Sequence, residues 1–246
     1  MRLRTLLLCL LMLMVVSPFL CAEEIAVKKG IILCNPMVES RARSASEKVN
    51  LSGTVKKYSS TFYTNRILLR VATELFERIE IFGDIGSADI SAPDFDDYSS
   101  PLTLIYGGGM DFKMIRSSAG GHPYAFLGIR YLQYEPVKDT INIELDHTLT
   151  AATSRISWKE WEVNMGAGFR SGSLGIEGGV RFSFIDAHEQ LSAPDFLETL
   201  HLKEDDNAGM FINADIFIDP EEKFAFNIGV TAIDVNSIIA GVKLWF

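Results

Sequence analysis

Two neighbouring stretches late in the chain place an apolar residue at every second position for the length of a strand, and this period of two constrains the fold most. In 210–218, Met210, Ile212, Ala214, Ile216 and Ile218 share one face, while Asn213 and Asp215 share the other with Phe211 and Phe217. After the short turn 219–223, Phe224, Phe226, Ile228, Val230 and Ala232 line up opposite Ala225, Asn227, Gly229 and Thr231. Successive strand side chains point to opposite sides, so the pattern predicts two adjacent strands, each with one apolar face.

The same test finds more strands upstream. Trp161, Val163, Met165, Ala167 and Phe169 oppose Glu162, Asn164 and Arg170. Leu174, Ile176, Val180, Phe182 and Phe184 oppose Glu177, Arg181 and Ser183, with a tight link at 171–173. Leu104, Tyr106, Met110 and Phe112 oppose Thr103, Asp111 and Lys113; Ala125, Leu127, Ile129 and Tyr131 oppose Phe126, Gly128 and Arg130. Ile67, Leu69, Val71 and Leu75 oppose Arg70 and Glu74, and Ile79, Ile81 and Ile85 oppose Glu80 and Asp84. With 238–246 these make nine strands, and a weak tenth over 52–62 makes the count even, as a single-chain bacterial barrel requires.

A soluble sandwich also alternates, so the side that faces water must be decided. In a sandwich the charges face water; in a membrane barrel the apolar face meets lipid and the charges line the interior. The composition is 48% hydrophobic with a mean hydropathy of +0.15. Beyond residue 22 no run reaches the roughly 18 apolar residues of a membrane helix. The polar faces are rich in glycine (Gly107, Gly109, Gly128, Gly166, Gly168, Gly175, Gly179, Gly229), which leaves room inside a narrow tube. The connections are read as alternating between short and long, as barrel turns and loops do. The expected fold is all-β: an antiparallel transmembrane β-barrel of about ten strands (8 to 10), with short periplasmic turns and longer acidic outer loops.

The beginning of the chain reads differently. Arg2 and Arg4, an apolar core from Leu6 to Val16, the break Ser17-Pro18 and a cut after Ala22 have the parts of a secretory signal. Residues 1–22 are thus expected to be a cleavable signal peptide. Leu20 and Phe19 are too bulky for a lipoprotein cut before Cys21. Cys9 and Cys21 would leave with the signal, and Cys34 alone has no disulfide partner within the chain. Residues 23–50 show no sustained period and are expected to be a periplasmic tail, with the barrel over 51–246.

Counting back from the end, Phe246, Leu244, Val242, Ala240 and Ile238 are apolar at every second position. This resembles the terminal strand of bacterial outer-membrane β-barrel proteins, whose last residue is usually Phe and whose final strand is recognised by the barrel-assembly machinery. The resemblance covers 51–246 as architecture. It implies location in the outer membrane of a Gram-negative-type cell, with outer-membrane lipid and the assembly machinery as partners. It also orients the strands. Residues 75–78, 118–123, 171–173 and 219–223 become inner turns, and 89–101, 135–157 and 187–207 become outer loops. Tyr131, Trp161 and Phe184 then form an outer girdle, and Phe112, Phe169, Phe224 and Phe246 an inner one.

Charge separates along the same lines. The formal net charge of −9 becomes −11 without Arg2 and Arg4, and the three outer loops by themselves carry −4, −2 and −5. An acidic chain without a basic cluster is a poor binder of nucleic acid. Acidic loops could hold divalent cations, although soluble, aggregation-resistant loops are the simpler reading. The motif Ser-Ala-Pro-Asp-Phe occurs twice in them, at 91–95 and 192–196, and reads as a shared turn rather than a duplicated ligand loop.

The predicted lumen charges are Arg70, Lys113, Arg130, Arg170 and Arg181 with Glu74, Glu80, Asp84, Asp111, Glu162, Glu177 and Asp215. In so narrow a tube they are expected to pair, since unpaired buried charge is costly; a small conducting path is the alternative. The histidines, His122, His147, His188 and His201, fall in turns and loops. The step Asp146-His147 is similar to the acid–histidine pairs of outer-membrane proteases, but adjacency in sequence is not a geometry. No catalytic residue, cofactor or metal ligand is assigned. The expected function is an integral outer-membrane barrel, porin-like or structural, with a barrel protease or lipid hydrolase and a surface adhesin or receptor as alternatives.

Overall fold

The computed structural model describes residues 32–51, 54–75, 78–93, 98–116, 123–145, 148–194, 196–204, 207–218, 223–233 and 235–246. The expected signal peptide lies outside them. Every regular element among them is a strand. In chain order these are β1 (Ile32–Leu51), β2 (Thr54–Leu75), β3 (Ile79–Ala88), β4 (Ser91–Ala92), β5 (Tyr98–Ser99), β6 (Thr103–Arg116) and β7 (Tyr124–Tyr134). They continue with β8 (Val137–Leu145), β9 (Thr148–Ser171), β10 (Leu174–Ala193), β11 (Phe196–Glu204), β12 (Ala208–Phe217), β13 (Phe224–Ala232) and β14 (Val235–Trp245).

Ten of these strands pair antiparallel in the order β1, β2, β3, β6, β7, β9, β10, β12, β13, β14. The sheet then closes, because β14 pairs back onto β1 from Leu33 opposite Trp245 to Arg43 opposite Val235. Closure removes the free edges of an open sheet and satisfies the backbone of every strand, which is what a lipid environment demands. The four remaining strands, β4, β5, β8 and β11, all belong to the end of the barrel from which the long connections leave.

Four sequence expectations need correction. Residues 32–50 are not a tail but most of β1, the strand that closes the barrel against both β2 and β14. The weak strand expected at 52–62 is the first half of β2, continuous with the strand at 67–75. The count of ten stands with a different tenth member. The expected long loops are also largely folded. Residues 89–101 contain β4 and β5, 135–157 contain β8 and the first part of β9, and 187–207 contain the end of β10 and β11. Short and long connections do not alternate strictly either, since β1 and β2, and likewise β13 and β14, are separated by only two residues at the long-loop end.

The loops escape a pattern search because the alternation inverts along single strands. In the lower part of β9, Trp161, Met165 and Phe169 are exposed on the outside while Glu162 and Gly168 face the lumen. In its upper part Ile156 and Trp158 are buried inside, and Arg155 is exposed outside. β10 inverts at the same height: Leu174, Ile176 and Phe184 face out below, whereas Ile185, Ala187 and Leu191 face in above, with Asp186 and Gln190 outside. A spanning strand needs about 9–11 residues. β9 has 24 and β10 has 20, so both run well beyond the bilayer into a region where water is outside and the core inside.

That upper core plugs the tube. Ala45, Phe62, Ile105, Leu132, Tyr134, Ile156, Trp158, Ile185, Ala187 and Leu202 converge from around the ring on one apolar cluster. Ile90, Ala92 and Tyr98, from the small β4–β5 hairpin, are folded into its centre and almost fully buried. The hairpin is held by the Ser100 amide donating to the Ile90 carbonyl at 2.9 Å and the Ile90 amide donating to Ser100 Oγ at 3.0 Å.

Lumen glycines make room for long neighbours. A Cβ on Gly128 would collide with the Asp111 carboxylate, and one on Gly168 with the Tyr124 ring. Two outcomes follow. Deleting residues 32–51 removes one wall strand and its ladders to β2, β14 and β11, and is expected to abolish the heat-modifiable folded band in detergent gels. Gly168→Val is expected to lower the unfolding midpoint in urea, as overpacking in a filled interior typically costs about 1–3 kcal/mol.

Candidate functional site

Below the plug lies a layer of charge that the wall strands aim inward. Its centre is Glu160 on β9. Arg41 Nη1 donates to it at 3.0 Å, Arg43 Nη1 at 2.8 Å and Arg66 Nη2 at 2.8 Å, and Ser183 Oγ donates at 3.1 Å. Glu162, one lumen position lower, accepts from Arg41 Nη2 at 2.8 Å and faces Arg130 and Arg181, each at 3.6 Å. Glu39 lies 3.4 Å from Arg41, 3.5 Å from Arg66 and 4.0 Å from Arg130. Asp84 accepts from Arg70 and from Arg130 Nε, both at 2.8 Å.

These contacts join six guanidinium groups and four carboxylates into one network, an excess of two positive charges. Every member except Arg70 is almost completely buried. Buried ions of this kind persist only when paired and hydrogen-bonded, and removing one partner is far costlier than never having the pair. The planar guanidinium suits the task, since one arginine can bridge two carboxylates, as Arg41 does between Glu160 and Glu162.

A second, less enclosed group lies toward the short-turn end. Lys243 Nζ donates to Asp215 at 2.7 Å, Asn227 Nδ2 donates to the same carboxylate at 2.7 Å, and the Tyr124 hydroxyl donates to Glu177. Lys113 stands 3.7 Å from Glu74, and both side chains are about one-third exposed, so this end of the lumen is wet. Arg170 lies over the Phe217 ring at 3.8 Å, and Phe217 stacks on Trp245 at 5.6 Å. With Glu80 and Asp111, this group holds five carboxylates against Lys113, Arg170 and Lys243. Its excess of two negative charges offsets the layer above.

The lumen charges named from sequence therefore divide between the two groups: Arg70, Asp84, Arg130, Glu162 and Arg181 above; Glu74, Glu80, Asp111, Lys113, Arg170, Glu177 and Asp215 below. Sequence reasoning missed the centre itself, namely Glu39, Arg41, Arg43, Arg66 and Glu160. A signal was there. Glu39, Arg41 and Arg43 are charged at every second position, but Ser40, Ala42 and Ser44 opposite them are small, so the two faces lack the contrast that marks the other strands. The assembly-signature residues lie on β14 and just after it, with Ile238, Ala240 and Phe246 exposed on the outer face and Val242 and Leu244 partly covered.

On the outside, Tyr131 and Trp161 rings lie 4.7 Å apart and Trp161 sits opposite Phe184, forming one arc of an aromatic girdle. Just above it His188 and His201 face each other across β10 and β11 with ring centroids 4.4 Å apart, and Asp186 Oδ1 is 3.0 Å from His188 Nε2. His188 Nδ1 has no hydrogen-bond partner among the described residues. Asp146, His147 and His122 lie outside the described residues, as do most acids of the loop tips. Among the described residues no group of three or more His, Cys, Asp or Glu is placed to hold a metal ion. Glu189, counted with the third loop, points inward instead and accepts from Ser154 Oγ at 2.6 Å. Both Ser-Ala-Pro motifs stand where a hairpin turns, Ser91–Ala92 ending β4 and Ser192-Ala193 ending β10.

Neutralising Glu160 while keeping its shape should reveal its weight. Glu160→Gln leaves Arg41, Arg43 and Arg66 without their shared charge and is expected to destabilise the barrel by about 3–5 kcal/mol. Lys243→Met, in the wetter group, should cost clearly less. Urea titrations of the folded band in lipid vesicles compare the two.

No family model and no curated protein matches the chain. Among solved structures, the outer membrane protease OmpT from Escherichia coli superposes with a TM-score of 0.58 at 10% identity, covering 91% of this chain and 99% of that one. The translocator domain of the autotransporter NalP from Neisseria meningitidis gives 0.42 at 12% identity over 94% and 92% of the two chains. The outer membrane protein OprG from Pseudomonas aeruginosa gives 0.41 at 10% identity over 89% and 97%. The likeness to OmpT spans both chains almost entirely, and the chain has the fold of bacterial outer-membrane β-barrels.

Proposed function

We propose that the protein is an integral outer-membrane barrel with a structural role in the envelope, closed to diffusion, rather than a porin. The observation that carries this reading is the filled lumen. Across its upper part the tube holds an apolar plug, and beneath the plug lies a layer of nearly fully buried ion pairs. An ion crossing the barrel would have to displace packed side chains in the plug and break pairs whose separation costs several kcal/mol each. The outward apolar residues, from Ile67 and Leu69 on β2 to Ile238 on β14, support residence in a bilayer. In this reading the short turns face the periplasm, the folded extension faces outward, and the barrel-assembly machinery receives the chain through β14.

Planar-bilayer recording on the purified, refolded protein tests the proposal. The expected result is no sustained conductance in molar salt. Glu160→Ala, which opens a gap in the charged layer, is expected to produce at most brief, noisy openings because the plug remains. A steady ohmic conductance of the unaltered protein would replace this reading with a pore.

A further inference from the structure

Three carboxylates stand side by side in one row at the short-turn end of the lumen. Strand pairing sets Glu74 on β2 opposite Glu80 on β3, and Glu80 opposite Asp111 on β6. Like charges directly opposite each other on neighbouring strands destabilise a sheet. Lys113 approaches Glu74 at 3.7 Å, but Glu80 and Asp111 make no hydrogen bond or ion pair with another described residue. Lys243 does not relieve the row, since Asp215 holds it at 2.7 Å.

A second feature points into the same tube. Asn35 on β1 is 4% exposed, and its Oδ1 has no hydrogen-bond partner among the described residues. That oxygen lies 2.9 Å from where a Cβ on the lumen-facing Gly241 would stand. An unsatisfied buried acceptor costs about 1–3 kcal/mol, and an ammonium group would supply its donor.

The chain enters the barrel at this end. Ile32, the first residue of β1, is fixed at the rim opposite Thr73. Its amide donates to the Phe246 carbonyl at 3.3 Å, and the Phe246 amide donates to its carbonyl at 2.9 Å. Thr73 precedes Glu74, so the chain leading into Ile32 arrives beside one end of the acidic row. Just before Ile32 the sequence reads Lys28-Lys29-Gly30-Ile31, and residues 23–31 lie outside the described residues. Three extended residues span about 10 Å. Neighbouring strands lie about 4.8 Å apart, which places the row roughly 5–15 Å from the entry point, within reach of both lysines. Gly30 has the backbone freedom for a reversal into the tube.

We propose that residues 23–31 fold back into the short-turn end of the lumen, with Lys28 and Lys29 seated against Glu74, Glu80 and Asp111. The two lysines supply the two positive charges that the lower group lacks. Tethering gives them a millimolar effective concentration, so they hold the site against free cations below that level. The lumen then has two closures from different parts of the chain, the apolar plug at one end and the entering segment at the other. The inference requires the closed ring of strands but neither the closed lumen nor the orientation proposed above.

Acetylation of lysines in the folded, purified full chain, read by peptide mass spectrometry, tests the contact. Lys28 and Lys29 are expected to react about tenfold more slowly than in the variant E80Q/D111N, which removes the attracting charge while keeping side-chain shape and the heat-modifiable band. A water-soluble carbodiimide gives a second measurement on the unaltered chain, whether or not the variant folds. It is expected to join Lys28 or Lys29 through an amide to Glu74, Glu80 or Asp111. Equal acetylation rates in the two folded proteins, or carbodiimide treatment that yields no such cross-link, would overturn the inference. Full exposure of both lysines by spermidine well below the millimolar range would overturn it in favour of a site for a free cationic solute.

Discussion

Each long strand of this barrel passes through two solvents, and the fold depends on satisfying both with one side-chain period. Below the girdle the outside must be apolar and the inside polar; above it the requirement reverses. β9 does this within a few residues, from Glu160 inside and Trp161 outside to Trp158 inside and Lys159 outside. β10 reverses between Phe184 and Asp186. The hydrogen-bonded wall continues unbroken through the reversal, because backbone pairing is indifferent to which face is wet. Only the side chains register the boundary, and they mark its height to within about one strand residue.

The reversal explains the order of material in the lumen. Above the lipid the inward faces are apolar and collapse, drawing in the β4–β5 hairpin to complete a small soluble-type core. Immediately below, the inward faces are charged but sealed from bulk water by that core, so the arginines and carboxylates have only each other. Glu160 takes three guanidinium groups because it sits at the junction, where β1, β2 and β9 all point charge toward the axis. Farther down, water enters from the short-turn end, and the pairs loosen to the partly exposed contact of Lys113 with Glu74. The positive excess of the sealed layer and the negative excess of the wet group cancel, so the interior of the lower barrel has little net charge despite its density of ions.

Much of this could be read from the residues where the two faces contrast. β12 and β13 were plain, because Ile212, Ile216, Ile228 and Val230 stand opposite Asn213, Asp215 and Asn227. β1 is hidden, because its outward positions Ser40, Ala42 and Ser44 look like a polar tail, and Glu39, Arg41 and Arg43 on the lumen face read as part of it. The upper half of β9 reads as loop for a related reason. Its inward positions include Ala152 and Ser154, too small to stand out against Ala151 and Thr153. Glu160 fell just outside the expected strand and so escaped the list of lumen charges that included its neighbour Glu162.

The sequence by itself determined the strand language and the apolar outer face, since a period of two and its contrast are local properties. It also fixed which charges of the lower strands share a face. Only the tertiary structure decided which strand closes the ring, that the lumen is plugged, and which carboxylate gathers the arginines. Those outcomes depend on residues more than a hundred positions apart, such as Arg41 and Glu160, meeting across a tube. No local pattern encodes a distance across the lumen; it is set by strand number and register once the sheet has closed on itself.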